Sequence, residues 1–194
     1  MPVGNFFVDY IIYVFVFTFC MSTDLNFSRP NWDEYFMLAA IIAASRASCV
    51  KFKSGAVIVK NKRIICSGYN GVAPGVPSCF DLGYCRKEKA GVDWSNKGSG
   101  HCMATHAEAN AIIQNHEQDL TGATMYCLHF PCNECAKLIA SSGIKEVVFL
   151  KHYREQVPKS EEIFAFSGVK FRKLEMDYEK QLKLIEHVMK ATKE

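Results

Sequence analysis

His106, Glu108, Cys132 and Cys135 are the side chains of this sequence equipped for chemistry, in the runs Thr105-His-Ala-Glu108 and Phe130-Pro-Cys-Asn-Glu-Cys135. One imidazole and two thiolates make three ligands for a zinc ion. Structural zinc sites close their coordination with four protein ligands, whereas three leave one position for water. Zinc lowers the pKa of such a water to about 7, which makes hydroxide available at neutral pH. Glu108 lies two residues from the imidazole and is not needed as a fourth ligand, so it can carry protons from that water to a leaving nitrogen. A lone C-x-x-C is ambiguous between zinc, redox chemistry and chance. Joined to H-x-E, with each half at an expected helix start after a strand, the pattern is specific.

Those residues need elements to hold them. Asn31-Trp-Asp-Glu34 resembles a capping box, and Tyr35 to Ala44 continues as a mostly buried helix. Gly55–Val59 and Ile64–Tyr69 read as strands joined by the polar turn Lys60-Asn-Lys-Arg63, hence a hairpin. A helix is expected from about His106 to Asn115, and Thr105-His-Ala-Glu108 itself reads as its capping box. Strand Thr124–Leu128, helix Cys132–Ser142 and strand Glu146–Leu150 follow. Pro131 precedes the second helix and puts Cys132 and Cys135 in its first turn, where the positive helix end favours thiolate. The chain closes with a helix near Ser160–Phe166, a strand Val169–Leu174 and a helix from Tyr178. In that last helix Leu182, Ile185, Val188 and Met189 form an apolar stripe, while Glu179/Lys183 and Glu186/Lys190 are spaced to pair. The alternation after an opening hairpin implies an α/β fold of three layers, αβα, with a central mixed sheet.

With 194 residues and 21.9 kDa, the chain suits one domain with a full core. The expected organisation is an N-terminal extension over 1–28 and one domain over 29–194, with an insertion at about 70–103 rich in Gly, Pro, Ser and charge. A structureless stretch of that length is uncommon in a compact domain and is usually functional or tied down. The net charge of +3 is weak, and a nucleic-acid groove needs a concentrated basic face. No nucleic-acid polymer is therefore expected as partner. Lys51, Lys53, Lys60, Lys62 and Arg63 form the one dense basic cluster, enough for a mononucleotide phosphate. Nine cysteines are an odd count, several in metal-ligand spacings, which argues against a disulfide scaffold and for a reducing, cytoplasmic setting. From Tyr10 to Met21 the chain is uncharged and apolar, with no Lys or Arg before Arg29. It fits neither a spanning helix nor a secretory signal cleanly, leaving a dispensable extension or weak membrane attachment as its readings.

The H-x-E…P-C-x-x-C pattern is the signature of zinc nucleobase deaminases. Around it, Ser54-Gly-Ala-Val-Ile-Val59, Ser67-Gly-Tyr-Asn-Gly71, His106-Ala-Glu-Ala-Asn-Ala-Ile112, Phe130-Pro-Cys-Asn-Glu-Cys-Ala-Lys-Leu-Ile139, Ser142-Gly-Ile-Lys-Glu-Val-Val148 and Tyr153 resemble the deoxycytidylate (dCMP) deaminases, from about Asn31 to Arg172. The zinc motifs are shared by the wider cytidine deaminase superfamily. Gly68-Tyr-Asn-Gly71 with the long cysteine-bearing insertion narrows the resemblance to the mononucleotide branch. The resemblance implies conversion of dCMP and water to dUMP and ammonia, supplying the precursor of thymidylate. It implies Glu108 as proton carrier, Asn70 at the sugar or base, the Ala107 backbone amide at the pyrimidine carbonyl, and Tyr153 near the phosphate. Lys53 is a further phosphate candidate, equally readable as a solvated hairpin lysine. Members of the family are commonly homohexamers, activated by dCTP with Mg²⁺ and inhibited by dTTP, which implies an effector site near Tyr69, Asn70 and Gly71.

Relatives of microbial and viral type also hold a structural zinc with cysteines at places corresponding to Cys49, Cys79, Cys85 and Cys102. His101 is an alternative fourth ligand. An insertion with few large apolar residues would gain order from such a cross-link; the plain alternative is buried or free thiols. Three other functions stay open. They are deamination of another cytosine compound such as dCTP or cytidine, polynucleotide editing, and a zinc-stabilised binding module without turnover.

Overall fold

The computed structural model describes residues 29–93, 95–96, 99–115, 118–152 and 157–192. The extension over 1–28 lies outside them, and no helix among the described residues is long and apolar enough to cross a membrane. Asn31–Asp177 forms one compact unit. Its elements are α1 (Trp32–Ser45), β1 (Gly55–Lys60), β2 (Arg63–Tyr69), α2 (Cys79–Leu82), α3 (Arg86–Lys89), α4 (Ala107–Ile113), β3 (Thr124–His129), α5 (Asn133–Ser141), β4 (Glu146–Lys151), α6 (Val157–Ser167) and β5 (Lys170–Lys173). A further helix, α7 (Tyr178–Ala191), belongs to a second unit; of its expected apolar stripe Leu182, Val188 and Met189 are exposed, and Gln181 is the residue it buries. Among the described residues neither Glu179/Lys183 nor Glu186/Lys190 closes into an ion pair, so that spacing goes unused.

The sheet runs in the order β2-β1-β3-β4-β5. β1 is antiparallel to both neighbours, whereas β3, β4 and β5 are parallel, which makes the sheet mixed. Asn61 and Lys62 both take positive φ, 52° and 58°, as a tight hairpin turn that follows the strand twist requires. Side-chain alternation then divides the core. Ala56, Ile58, Met125, Cys127, Val147 and Phe149 face one way and pack with Ala107, Ala111, Ala136, Ile139 and Phe164. Val57, Val59, Tyr126, Val148 and Leu150 face the other way and pack with Phe36, Met37 and Ala40. One layer thus holds α1 and the other α4, α5 and α6, which is the three-layer αβα arrangement.

Two glycines set how closely the helices lie. A Cβ on Gly55 would stand 2.1 Å from the Ala40 carbonyl oxygen of α1. A Cβ on Gly68 would stand 2.3 Å from both the Ala107 oxygen and the Ala111 nitrogen of α4. The hairpin therefore presses bare backbone against a helix on each face.

Two expectations need correction. The run Tyr35–Ala44 is apolar nearly all round, yet α1 buries only Phe36, Met37, Ala40 and Ala44, leaving Tyr35 and Ile42 exposed. Its capping box does form: Glu34 N–H donates to Asn31 Oδ1 (2.9 Å) and Asn31 N–H to Glu34 Oε2 (2.8 Å). The insertion holds two short helices for which no expectation was made, α2, capped by a Ser78/Asp81 box, and α3. At α4 the N-cap is His106 rather than Thr105, with no side-chain cap hydrogen bond. Thr105 instead pairs its backbone with Gly71, whose N–H donates to Thr105 O (3.2 Å) while Thr105 N–H donates to Gly71 O (2.8 Å).

Candidate metal centre and nucleotide pocket

The Gly71/Thr105 bridge fixes the chain just ahead of α4 to the end of β2. Asn110 Nδ2 adds a second tie by donating to the Tyr69 carbonyl at 2.8 Å. With the Gly68 contact, these hold the start of α4 on the sheet. The start of α5 is held by β3, since Phe130, next after the strand, donates its N–H to Lys151 O at 2.8 Å before the chain turns at Pro131. Both helices begin on a residue with extended backbone, His106 and Cys132, and neither side chain caps its own helix. A missing cap forgoes about 1 kcal/mol. Both side chains are turned toward each other instead.

His106 Nδ1 lies 3.4 Å from Cys132 Sγ and 3.5 Å from Cys135 Sγ. The three ligand atoms all fall within 4.8 Å of one another, and this is the one such group among the described residues. Tetrahedral zinc with bonds of about 2.05 Å to nitrogen and 2.3 Å to sulfur would set nitrogen and sulfur about 3.6 Å apart. The trio therefore fits zinc without rearrangement. Its protonation points the same way. The Cys132 thiol is pushed well down by a hydrogen bond from Cys135 and then by His106, while Cys135 is held up as the partner that keeps the proton. A divalent cation held by the three would take the place of that shared proton.

Glu108 is not one of the three, although its Oε2 accepts from Cys135 Sγ at 3.7 Å. It is buried, 5% exposed, and burial raises its carboxyl pKa above the usual range against opposing pulls from a backbone N–H and His106. Behind it the Cys127 thiol is pushed far up by burial and then by Glu108. This arrangement can hold a cation with an open side and, next to it, a carboxyl that readily takes and returns a proton.

His106, Glu108 and Cys132 open onto a cavity of about 140 Å³ whose wall also includes Ala107, Asn70, Ser54, Phe52 and His129. Asn70 is clamped to its neighbours: Oδ1 accepts from Ser54 N–H (2.8 Å) and Nδ2 donates to the Phe52 carbonyl (2.9 Å). One lone pair and one N–H of the amide remain for a ligand. Lys53 is not on this wall. Its ammonium donates to the Ala47 carbonyl at 2.6 Å and lies over the Phe80 ring, so the phosphate reading of Lys53 loses its support. The cations on the wall are Lys51, Arg86 and Lys87. Tyr153 lies outside the described residues. Tyr69 and Gly71 sit at the end of β2 and just after it, Tyr69 partly exposed.

Cys49, Cys79, Cys85 and Cys102 line the same cavity, and His101 is exposed and off its wall. No three of these five bring their ligand atoms within 4.8 Å of one another. Several wall residues were missed in the sequence, Arg86, Ser54 and His129 among them. Arg86 sits in an insertion without periodicity, whereas Ser54 and His129 adjoin conspicuous motifs, Gly55–Val59 and Phe130-Pro-Cys132. His129 stacks on Phe52 with ring centroids 4.5 Å apart, and its Nδ1 lies 3.4 Å from Ser54 Oγ.

A three-layer αβα unit with a His/Cys/Cys cluster at two helix starts and an unligated buried glutamate beside it defines a metal-dependent deaminase class of protein. The comparisons give the family. The model of the cytidine and deoxycytidylate deaminase zinc-binding region matches residues 30–151, and the chain belongs to that family. It is 44% identical over 129 residues to a deoxycytidylate deaminase of Mycobacterium phage D29, covering 64% of this chain and 98% of that one. It is 38% identical over 156 residues to the deoxycytidylate deaminase of Mus musculus, covering 77% and 83%. Among solved structures, the dCMP deaminase of cyanophage S-TIM5 in complex with dCMP and dUMP superposes with a TM-score of 0.61 at 28% identity, over 76% of this chain and 99% of that one.

Proposed function

We propose that this chain is a zinc-dependent deaminase converting dCMP and water to dUMP and ammonia, and thereby supplies dUMP for thymidylate synthesis. The observation that carries the proposal is the His106/Cys132/Cys135 cluster with the Glu108 carboxyl beside it, on the wall of one cavity. Bound there, zinc supplies a nucleophile from water at neutral pH. The rest falls to the chain's own residues. Glu108 takes a proton from the attacking water, passes one to ring N3, and later delivers one to the departing amino nitrogen. The water oxygen ends on C4 and the C4–N4 bond breaks, so atoms balance. Burial suits Glu108 to this exchange, because it draws the carboxyl pKa toward the working pH. The Ala107 backbone N–H, at the first position of α4, is suited to the pyrimidine carbonyl, and the remaining amide capacity of Asn70 to the sugar. Tyr153 is assigned to the neighbourhood of the phosphate on the family resemblance.

The same reading extends to a second zinc at Cys49, Cys79, Cys85 and Cys102, with His101 as the alternative ligand. Its support is that four thiols from separate segments reach one cavity. Their ligand atoms would have to draw together on binding, as a metal that orders an insertion makes them do. Family membership further suggests a homohexamer, activation by dCTP with Mg²⁺ and inhibition by dTTP near Tyr69, Asn70 and Gly71. It also fits a reducing cytoplasm that keeps the thiols available, with the 1–28 extension dispensable to a deaminase domain that starts at 29. The deciding experiment is ammonia release from dCMP, dCTP, cytidine and single-stranded DNA, with and without dCTP or dTTP, alongside zinc analysis. Turnover of dCMP with two zinc per chain is expected. Inertness toward all four compounds at full zinc loading would overturn the activity. One zinc in fully active protein would remove the second site alone.

A further inference from the structure

We propose that the exposed apolar stripe of α7 is a docking surface for this chain's own N-terminal extension, and that the apolar run from Tyr10 to Met21 lies along it. The pairing goes beyond the deaminase reading and leaves the chemistry of the cavity unchanged.

Tyr178, Leu182, Ile185 and Met189 recur at i, i+4, i+7 and i+11 and line one side of α7, with Val188 at its edge. Tyr178, Leu182, Val188 and Met189 are each more than half exposed. A helix of 14 residues is marginal in water on propensity alone, and its stability comes from packing an apolar face. The stripe therefore needs an occupant that is apolar, close at hand and long enough. From Tyr10 to Met21 the chain runs for twelve residues without a charge, the same number as from Tyr178 to Met189. Both segments leave the Asn31–Asp177 unit at one corner. Arg172 Nη1 and Nη2 donate to Asp33 Oδ2 (2.8 Å) and Oδ1 (2.9 Å) in the first turn of α1. Leu174 and Met176, on the way to α7, pack against the cluster that holds Phe36 and Met37 of the same helix. The nine residues from Ser22 to Pro30 reach about 30 Å when extended, whereas α7 is about 21 Å long. So short a tether holds the run at millimolar effective concentration, which favours it over a second copy of the chain in dilute solution. A lipid surface is the weaker occupant, because helices that lie on membranes carry a polar face rich in Lys and Arg. The charges of the extension, Asp9 and Asp24, are both acidic, and Lys180, Lys183 and Lys190 of α7 are offset by Glu179 and Glu186.

The experiment uses the full chain with the photo-crosslinking residue p-benzoylphenylalanine in place of Leu182, or of Lys183 on the charged side of α7 as control. After irradiation, mass spectrometry maps the links in a mixture of isotopically light and heavy protein, alone and with vesicles of phosphatidylcholine and phosphatidylserine. Position 182 is expected to link to residues 10–21 of the same chain, and position 183 is not. A light–heavy link, a link to lipid, a link confined to residues 31–177, equal linking from position 183, or no link from position 182 overturns the proposal. Hydrogen exchange of the α7 amides gives a second readout. Phe17→Asp should speed that exchange about 10–100-fold, the opening that loss of one buried Phe side chain allows. Zinc content and ammonia release from dCMP should stay as in wild type. Leu182→Asp should give the same loss from the other side of the contact and decides if Phe17→Asp does not fold. Exchange as slow as in wild type, in either folded variant, has the same force against docking. Were wild type inert toward dCMP, the deaminase reading would fail, and the cross-link would still decide the docking.

Discussion

Gly68→Ala replaces one hydrogen with a methyl group on β2, far in sequence from every ligand, and it should disable the enzyme. The added carbon would stand 2.3 Å from the Ala107 oxygen and the Ala111 nitrogen and 2.9 Å from Ala111 Cα. All three are backbone atoms, so no side chain can rotate away. Ordinary contact begins at 3.4 Å, and α4 must therefore lift from the sheet by about 1 Å, an overpacking that costs about 1–3 kcal/mol. His106 and Glu108 move with α4, whereas Cys132 and Cys135 stay with α5. Misplacing reacting groups by about 1 Å costs on the order of 10²-fold in rate. Gly55→Ala is the control, because its methyl would meet Ala40 and Ala44 of α1 on the opposite face, which carries no metal ligand. Both variants should melt several degrees low, by calorimetry. Only Gly68→Ala should lose about 10²-fold in kcat/KM for dCMP while fully folded. Wild-type turnover in folded Gly68→Ala would show that the contact with α4 does not set the site geometry.

Glu108→Gln should retain zinc and lose about 10²–10⁴-fold in kcat, read by ammonia release and metal analysis, since the carboxyl moves protons and is not a ligand. Comparable activity at full zinc occupancy would refute that role. His129 gives a pH dependence of stability. Burial, then Lys151, depresses its pKa to about 4 from 6.5, so the folded state keeps the ring neutral. The stability it contributes is complete above about pH 6.5 and is lost as pH falls through 4, because the unfolded chain binds the proton first. After allowance for solvent screening the loss is on the order of 1–2 kcal/mol. Denaturant midpoints for wild type and His129→Gln should converge between pH 7 and 4.5, and parallel curves would contradict this.

What was legible in the sequence follows from the range of each signal. The hairpin was readable because two short runs, Gly55–Val59 and Ile64–Tyr69, flank the polar turn Lys60-Asn-Lys-Arg63, a pattern complete within about fifteen residues. The three ligands were readable because their spacing is chemical rather than structural. The order of the strands was not, since nothing local says that β3 lies beside β1 instead of extending from β2. The short helices α2 and α3 were missed because four residues hold no period, although Ser78 and Asp81 already spelled a capping box. Thr105 was misread for the opposite reason. A valid capping sequence was present, but the backbone pairing with Gly71 took Thr105 out of the cap position and left His106 there.

The two uncapped helix starts have a consequence for stability. At Cys132 the backbone has the extended conformation of an N-cap, φ −71° and ψ 169°, yet the sulfur is turned to His106 and not to the amides of its own helix. Serine is nearly isosteric with cysteine and is among the best N-cap residues. Cys132→Ser should therefore stabilise the metal-free protein by about 1 kcal/mol, or about 2–4 °C in a domain of this size. The same change removes one of three ligands and should abolish zinc retention and activity. With zinc the order reverses, because wild type gains the binding free energy and the variant does not. Melting both proteins with chelator and again with excess zinc separates the terms. If metal-free Cys132→Ser melted at or below metal-free wild type, the helix start would not be strained by its ligand. The geometry of the centre would then come at no cost to the fold, and the argument that function displaced a cap at Cys132 would have to be abandoned.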